Sequence, residues 1–432
     1  MKSLGAIVGS VALAIGAILP LSAAVAEHEH PMLQLSSDSH FHYQLLLPFG
    51  EAIYSGADVG SILGAAKDII PGDMASFSSV FHRLANETKA AALNPFNAHD
   101  PINVRDTWFS AATYFRRADF YLHGDWDNPL IDELWVEQIT AFDNAMATLP
   151  IPGRRLQVAT DDFTIEAIWY ATSTRNRTRR PTLILGNGYD GSQEDLYHTV
   201  VAPALARGWN CLTYEGPGHP SVRRNQGLGF IPEWERVITP LVDYLLTERA
   251  DVVDPDRLAL FGYSFGGSLA ARAAAFEPRI KALLLNGGVW DAYDAWVTKL
   301  SPALLELLEA GNKEQFDKIT LEMRDDPEVP ASIRWGINQG LWSFKTKSPY
   351  DYFQMAKLHT LKGISDGIKT PTWIADGELE DIFAGHGQLV QDALGDIATL
   401  HMFKGVAGHH CQAGALQEMN RVMFGWLKQT LG

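Results

Sequence analysis

Leu258-Ala259-Leu260-Phe261-Gly262-Tyr263-Ser264-Phe265-Gly266-Gly267 decides the fold of this 432-residue chain. The apolar run 258–261 reads as a strand buried on both faces, and the alanine-rich stretch 268–276 reads as a helix. Between them a glycine stands two before and two after Ser264. That G-x-S-x-G spacing permits a tight, strained strand-to-helix turn with the serine hydroxyl at its tip. The bare motif turns up often by composition alone, and the strand before it and helix after it give it weight.

Outward from this turn, short apolar runs recur at 182–185, 211–214, 282–285, 372–375 and 399–403, each followed by glycine and a helix-like stretch. Such runs suit parallel strands covered on both faces, and their alternation with helices predicts a doubly wound, mostly parallel α/β sheet. Upstream, 156–159 and 163–170 alternate apolar and polar residues around Asp161-Asp162 and predict a hairpin. Residues 27–152 carry helical spacing, clearest at 105–124 and 130–149, and predict a helical N-terminal region whose aromatics form core rather than a cofactor box. The sheet domain then occupies 153–290 and 371–432. The intervening 291–370 is mostly helical in pattern and rich in Trp, Phe and Tyr; in such a sheet it lies over the carboxyl ends of the strands as a lid.

A serine hydroxyl is a weak nucleophile until an imidazole takes its proton, and the imidazole must itself be held by a carboxylate. After a G-x-S-x-G turn the partners follow in the order acid, then histidine, which makes the chain read as a serine hydrolase of the α/β-hydrolase fold. The last strand-like run leads into Gly405-Val406-Ala407-Gly408-His409-His410-Cys411-Gln412-Ala413-Gly414-Ala415, where two adjacent histidines compete for the role. The acid is expected after 372–375, in Asp376-Gly377-Glu378-Leu379-Glu380-Asp381. Glu380 has the expected spacing from the strand-end glycine and Asp381 the more usual residue type, so both stand. An oxyanion needs two backbone N–H groups: Phe265 supplies one, and Tyr189 in Gly186-Asn187-Gly188-Tyr189-Asp190-Gly191 is the expected second. The glycines of that loop also fit G-x-G-x-x-G. The acidic residue ending the next strand, Glu215, is followed by a hydrolase-like Gly216-Pro217-Gly218, so a nucleotide site is set aside.

Composition narrows the partners. Apolar residues make up 46% and charged residues 20%, an ordinary globular balance, and 12 Trp with 20 Phe suit the lining of a pocket. The net charge of -16, with no basic stripe, excludes a nucleic-acid partner, and Arg175, Arg177, Arg179 and Arg180 read as a solvated loop. Cys211 and Cys411 are the only cysteines; placed on the second and last core strands, on opposite sides of the Ser264 strand, they are not expected to bridge, and a cysteine-built metal site is excluded. No cofactor is called for. A small-molecule substrate is the expected partner, with a homodimer left open. Lys2, the apolar stretch 4–21 and Ala24-Val25-Ala26 read as a signal peptide cleaved after Ala26. The expected product enters the secretory pathway or is secreted, with no stable membrane insertion. Asn86-Glu87-Thr88 and Asn176-Arg177-Thr178 are sequons of little weight.

With these motifs assembled, the chain from about Thr107 onward resembles the fungal secondary-metabolism hydrolases, which include a polyketide-shortening pigment enzyme and hydrolases of fusarin-type and cytochalasan-type pathways; the bacterial dihydroxypseudooxynicotine hydrolase looks like a more distant relative. The carrying residues are Gly188-Tyr189-Asp190-Gly191-Ser192 with Glu194, Tyr214-Glu215-Gly216-Pro217-Gly218, Gly262 to Gly267, and His410-Cys411-Gln412-Ala413-Gly414-Ala415. In the last of these the family's catalytic histidine directly precedes Cys-Gln, which the resemblance carries onto His410. The acid segment departs from the family pattern, with Glu380 where aspartate is usual. The resemblance implies cleavage of a carbon–carbon bond beside a carbonyl in a polyketide-like substrate, or release or cyclisation of such a substrate through an acyl-serine. A secreted carboxylesterase and a non-catalytic binding protein on the same scaffold are the rival expectations, and the intact serine, acid, histidine order argues against the second.

Overall fold

The computed structural model describes residues 31–173 and 178–432; the leader, Arg175, Arg177 and the Asn176 sequon lie outside the described residues. Its strands are β1 (Arg154–Ala159), β2 (Thr164–Tyr170), β3 (Arg180–Gly186), β4 (Asn210–Glu215), β5 (Val253–Tyr263), β6 (Ala282–Asn286), β7 (Thr372–Gly377) and β8 (Ala398–Phe403). They form one sheet in the order β1-β2-β4-β3-β5-β6-β7-β8. β1 and β2 are an antiparallel hairpin, β2 runs antiparallel to β4, and every pairing from β4 to β8 is parallel. The expected strands and hairpin are present. Cys411 departs from the sequence reading: β8 ends at Phe403, and Cys411 lies in the turn beyond it with φ +51, a left-handed conformation that no strand residue adopts.

Period-two alternation divides the core between the two faces of the sheet. Leu183, Leu185, Phe261, Leu284 and Trp373 point toward one layer, built from the N-terminal helices and the C-terminal helix Leu416–Leu431. Ile184, Leu212, Leu260, Leu283 and Ile374 point toward the other, built from the helices Glu235–Glu248 and Gly266–Phe276 together with the helices between β6 and β7. The continuous apolar runs of the sequence follow from this, since neither face of these strands meets water.

The N-terminal helices are delimited by side chains that satisfy their first N–H groups. Asp38, Asp58, Asp73 and Asp100 each accept from backbone amides at the start of Ser39–Glu51, Val59–Asp68, Met74–Leu93 and Pro101–Asp119, and Pro101 occupies the first turn of the last. Between β6 and β7 the helices Ala292–Val297, Pro302–Glu309, Lys313–Asp325, Ala331–Ser343 and Pro349–Ala356 form the excursion over the sheet. Both helical regions reach the carboxyl ends of the central strands, where the candidate site lies.

Candidate active site

Ser264 sits at the tip of the β5 turn with φ +57, a strained conformation for a residue with a side chain. The surrounding glycines make this bend attainable. A Cβ on Gly262 would come 2.1 Å from Gly266 O, and one on Gly267 would come 1.8 Å from Gly287 O, so neither position has room for a side chain. The turn is tied down by Ser264 N donating to Asn286 O at 2.6 Å and Gly267 N donating to Ser264 O at 2.8 Å.

His410 reaches this hydroxyl from the turn after β8, with Nε2 2.8 Å from Ser264 Oγ. Its Nδ1 meets Glu380 Oε2. The other Glu380 oxygen, Oε1, accepts from Ile382 N at 2.9 Å and Phe383 N at 3.0 Å, which fixes the carboxylate in place. Asp381, the alternative acid, is exposed, and its backbone carbonyl accepts from Lys299 Nζ at 2.5 Å. Of the two neighbours it is Glu380 that turns inward, its side chain 6% exposed. His409 is not in the hydroxyl contact; its ring lies 5.8 Å from that of His42.

Charge reinforces the arrangement. Burial alone would raise the Glu380 pKa, but His410 and the two amides outweigh it and hold the carboxyl below its ordinary value. Burial opposes an imidazolium at His410, but the Cys411 sulfur and Glu380 outweigh it and raise its pKa well above 6.5. Cys411 is part of this cluster: its Sγ lies 3.4 Å from His410 Nε2 and 3.2 Å from Asn286 O, the carbonyl that also receives Ser264 N. Both cysteines are buried and free.

The loop after β3 lies flush against the turn. A Cβ on Gly188 would stand 2.7 Å from Tyr263 O, 2.9 Å from Phe265 N and 3.0 Å from Ser264 Cβ, so only glycine lets the two backbones approach this closely. Tyr189, the next residue, lies beside Phe265, with ring centroids 6.4 Å apart. The loop is held from several directions. Asn187 Nδ2 donates to Ser192 O at 2.8 Å, and Glu215 accepts from Gln193 N at 2.8 Å and Ser221 N at 2.6 Å. Burial holds His219 neutral with its pKa lowered to about 4; because Nδ1 accepts from Gly216 N at 3.1 Å, Nε2 carries the proton and donates to Asn187 O at 3.0 Å.

The two helical regions hold the same loop. From Ala331–Ser343, Gln339 Nε2 and Ser343 Oγ donate to Tyr189 O at 3.1 and 3.2 Å, while Tyr189 Oη donates to Gly336 O at 3.0 Å and lies 3.0 Å from Tyr352 Oη. From Pro101–Asp119, the buried Arg116 donates to Asp190 O and lies 3.5 Å from Asp119 and 3.7 Å from Asp195. Tyr43, on Ser39–Glu51, places its ring 6.2 Å from that of His410. Sequence reasoning brought Ser264, His410, Glu380, Phe265 and Tyr189 to one place. It missed Tyr43 and Arg116, whose contacts with His410 and Asp190 span long stretches of chain and leave no local spacing to read, and the contact of Cys411 with its neighbour His410, which depends on the turn between them. Among the described residues no cluster of His, Cys, Asp and Glu has metal-holding geometry.

Comparison with known proteins agrees with the fold. Residues 183–354 match the model described as the alpha/beta hydrolase family, a segment that contains Ser264 but ends before Glu380 and His410. Hydrolase LUC6 of Fusarium sp is 29% identical over 417 residues, covering 93% of this chain and 99% of that one. The 20-hydroxy-prefusarin hydrolase FUS2 of Gibberella moniliformis is 28% identical, covering 92% and 98%. The crystal structure of 2,6-dihydroxy-pseudo-oxynicotine hydrolase superposes with a TM-score of 0.68 at 18% identity, covering 89% of this chain and 95% of that chain. Strand order, matched segment and full-length likeness to named hydrolases converge: the chain is an enzyme of the α/β-hydrolase fold, similar along nearly its whole length to fungal hydrolases.

Proposed function

We propose that the enzyme is a serine hydrolase in which Ser264 is the nucleophile, His410 the base and Glu380 the acid that orients it, with the Phe265 and Tyr189 amides cradling the oxyanion. The observation that carries this reading is the 2.8 Å contact from Ser264 Oγ to His410 Nε2, with Glu380 on the opposite ring nitrogen. Likeness to a hydrolase named for 20-hydroxy-prefusarin supports a substrate of polyketide or β-dicarbonyl character within fungal secondary metabolism.

On such a substrate His410 takes the Ser264 proton as Oγ bonds to the carbonyl carbon, and the negative charge on oxygen settles between the two amides. The carbon–carbon bond to the central carbon then breaks. Its electron pair stays with the leaving fragment as an enolate, which the neighbouring carbonyl stabilises and His410 protonates. Water, deprotonated by His410, splits the acyl-serine and restores the hydroxyl; the sum is one water added to give a ketone and a carboxylic acid. Where the leaving atom is oxygen, the same steps cleave an ester.

Product analysis separates the two. Incubation with benzoylacetone is expected to release a carboxylic acid and a methyl ketone in equal amounts. Rapid turnover of 4-nitrophenyl acetate with the diketone intact would replace this reading by a carboxylesterase. Secretion is proposed from the leader: N-terminal sequencing of the exported protein is expected to start at Glu27. Among the described residues no helix is long and apolar enough to cross a membrane.

A further inference from the structure

Beside the Tyr189 loop the two helical regions meet in a group of rings. Trp335, on Ala331–Ser343, lies 6.0 Å from the Tyr189 ring, stacks on Phe120 at 5.0 Å, and lies 5.1 Å from His40. His40 is 5.9 Å from Tyr121, and Tyr121 packs edge-on to Phe120 at 4.9 Å. His40 is one turn before Tyr43 on the same helix, so both present the same face, and Tyr43 borders His410. The group is thus continuous with the candidate active site on both sides.

Its polar atoms are unused. His40 Nε2, the Tyr121 hydroxyl and Trp335 Nε1 are enclosed and have no hydrogen-bond partner among the described residues, although Tyr121 is only 7% exposed. Leaving such groups unpaired costs about 1–3 kcal/mol each, so three of them within one group of packed rings are more readily explained as built for a ligand than as packing. There is room nearby. Gly336 lies on the same helical face as Gly340, one turn apart; a Cβ on Gly340 would strike Tyr189 and Tyr352, whereas one on Gly336 would meet nothing within 4 Å.

The chemistry of the three atoms selects the ligand. Indole N–H can only donate, a phenol hydroxyl donates readily, and a neutral imidazole presents one N–H. Burial keeps His40 neutral, its pKa lowered to about 3, so none of the three side chains carries a formal charge, and Tyr121 and Trp335 offer donors. Flat rings beside them favour a planar or conjugated skeleton.

We infer that His40, Tyr121 and Trp335 form the recognition subsite for the non-reacting part of the substrate, an uncharged conjugated chain or ring bearing carbonyl oxygens. This rests on the reading of Ser264 as the nucleophile for the position of the reacting carbonyl. The subsite places further carbonyls of the same molecule opposite Tyr121 and Trp335. A simple short-chain ester does not reach it.

Equilibrium dialysis with dibenzoylacetone, an aryl triketone, tests the subsite in protein carrying Ser264→Ala, so that the β-diketone is not cleaved during the measurement. That protein is expected to bind it, and adding Tyr121→Phe or Trp335→Phe is expected to raise Kd about ten-fold, the usual loss when a buried donor partner is deleted. With Ser264 in place, both variants are expected to turn over 4-nitrophenyl acetate and to react with a fluorophosphonate within two-fold of the unaltered rate, which shows an intact fold. No binding of the triketone, unchanged Kd in both variants, or an equal loss of acetate turnover overturns the subsite. Absence of fluorophosphonate labelling in the unaltered protein would remove the Ser264 reading, while the dialysis result still decides the subsite.

Discussion

The carboxyl edge of the sheet and the helical layers around it contribute to the same site by different physical means. At the sheet edge, position comes from backbone: Gly188, Gly262 and Gly267 are each pressed so close to neighbouring backbone atoms that only glycine fits, and Ser264 is forced into a left-handed conformation between them. In the helical layers, position comes from side chains reaching across long sequence separations, as Arg116 does to Asp190 and Gln339 to Tyr189. The reacting groups are therefore fixed by a local rule, and the walls around them by tertiary packing. Chemistry built on the first can persist while the second is rebuilt for another substrate.

Substitutions separate these contributions, beginning with the largest effect. Ser264→Ala and His410→Ala are each expected to lower kcat by roughly a million-fold with the melting curve little changed, because the proposed mechanism uses both in one proton transfer. Glu380→Gln is expected to cost about ten-thousand-fold, and Asp381→Asn less than two-fold; the reverse order would show that the exposed carboxylate, not the buried one, orients the histidine. In the helical layer, Arg116→Met leaves the buried Asp119 and the half-buried Asp195 with fewer counter-charges and releases Asp190 O. It is expected to destabilise the fold by about 3 kcal/mol in chemical denaturation and to lower kcat by about ten-fold through a loosened Tyr189 loop.

The pH profile is the smallest and sharpest contrast. With His410 as the proposed base, its neutral form is the active one, and since its pKa lies above 6.5, kcat/KM is expected to rise with pH along an acid limb whose midpoint is above that value. Glu380→Gln removes a charge that favours the imidazolium, and the residual activity is expected to show a lower midpoint. A midpoint that does not move would separate the carboxylate from the titration.

Legibility in the sequence follows the same division. The strands were readable because residues such as Leu183, Ile184 and Leu185 are buried on both faces and so form continuous apolar runs. Ser264 was readable because its bend demands glycines at fixed offsets. The acid was narrowed only to Glu380 or Asp381, since adjacent carboxylates differ in facing and facing depends on the turn between β7 and Phe383. Cys411 was misplaced on a strand because its left-handed conformation is unusual for a non-glycine residue and leaves no compositional sign. The aspartates at 38, 58, 73 and 100 that cap the N-terminal helices are helix-start signals written in the sequence itself. Tyr43 and Arg116 could not be found this way, because their roles exist only once the N-terminal layer docks on the sheet.

Peptide mapping by mass spectrometry after fluorophosphonate treatment tests the central claim most directly. A single adduct is expected on Ser264, formed rapidly in the unaltered enzyme and at least a thousand-fold more slowly in His410→Ala. A folded, unaltered protein that gains no adduct, or gains it on another residue, would contradict the account.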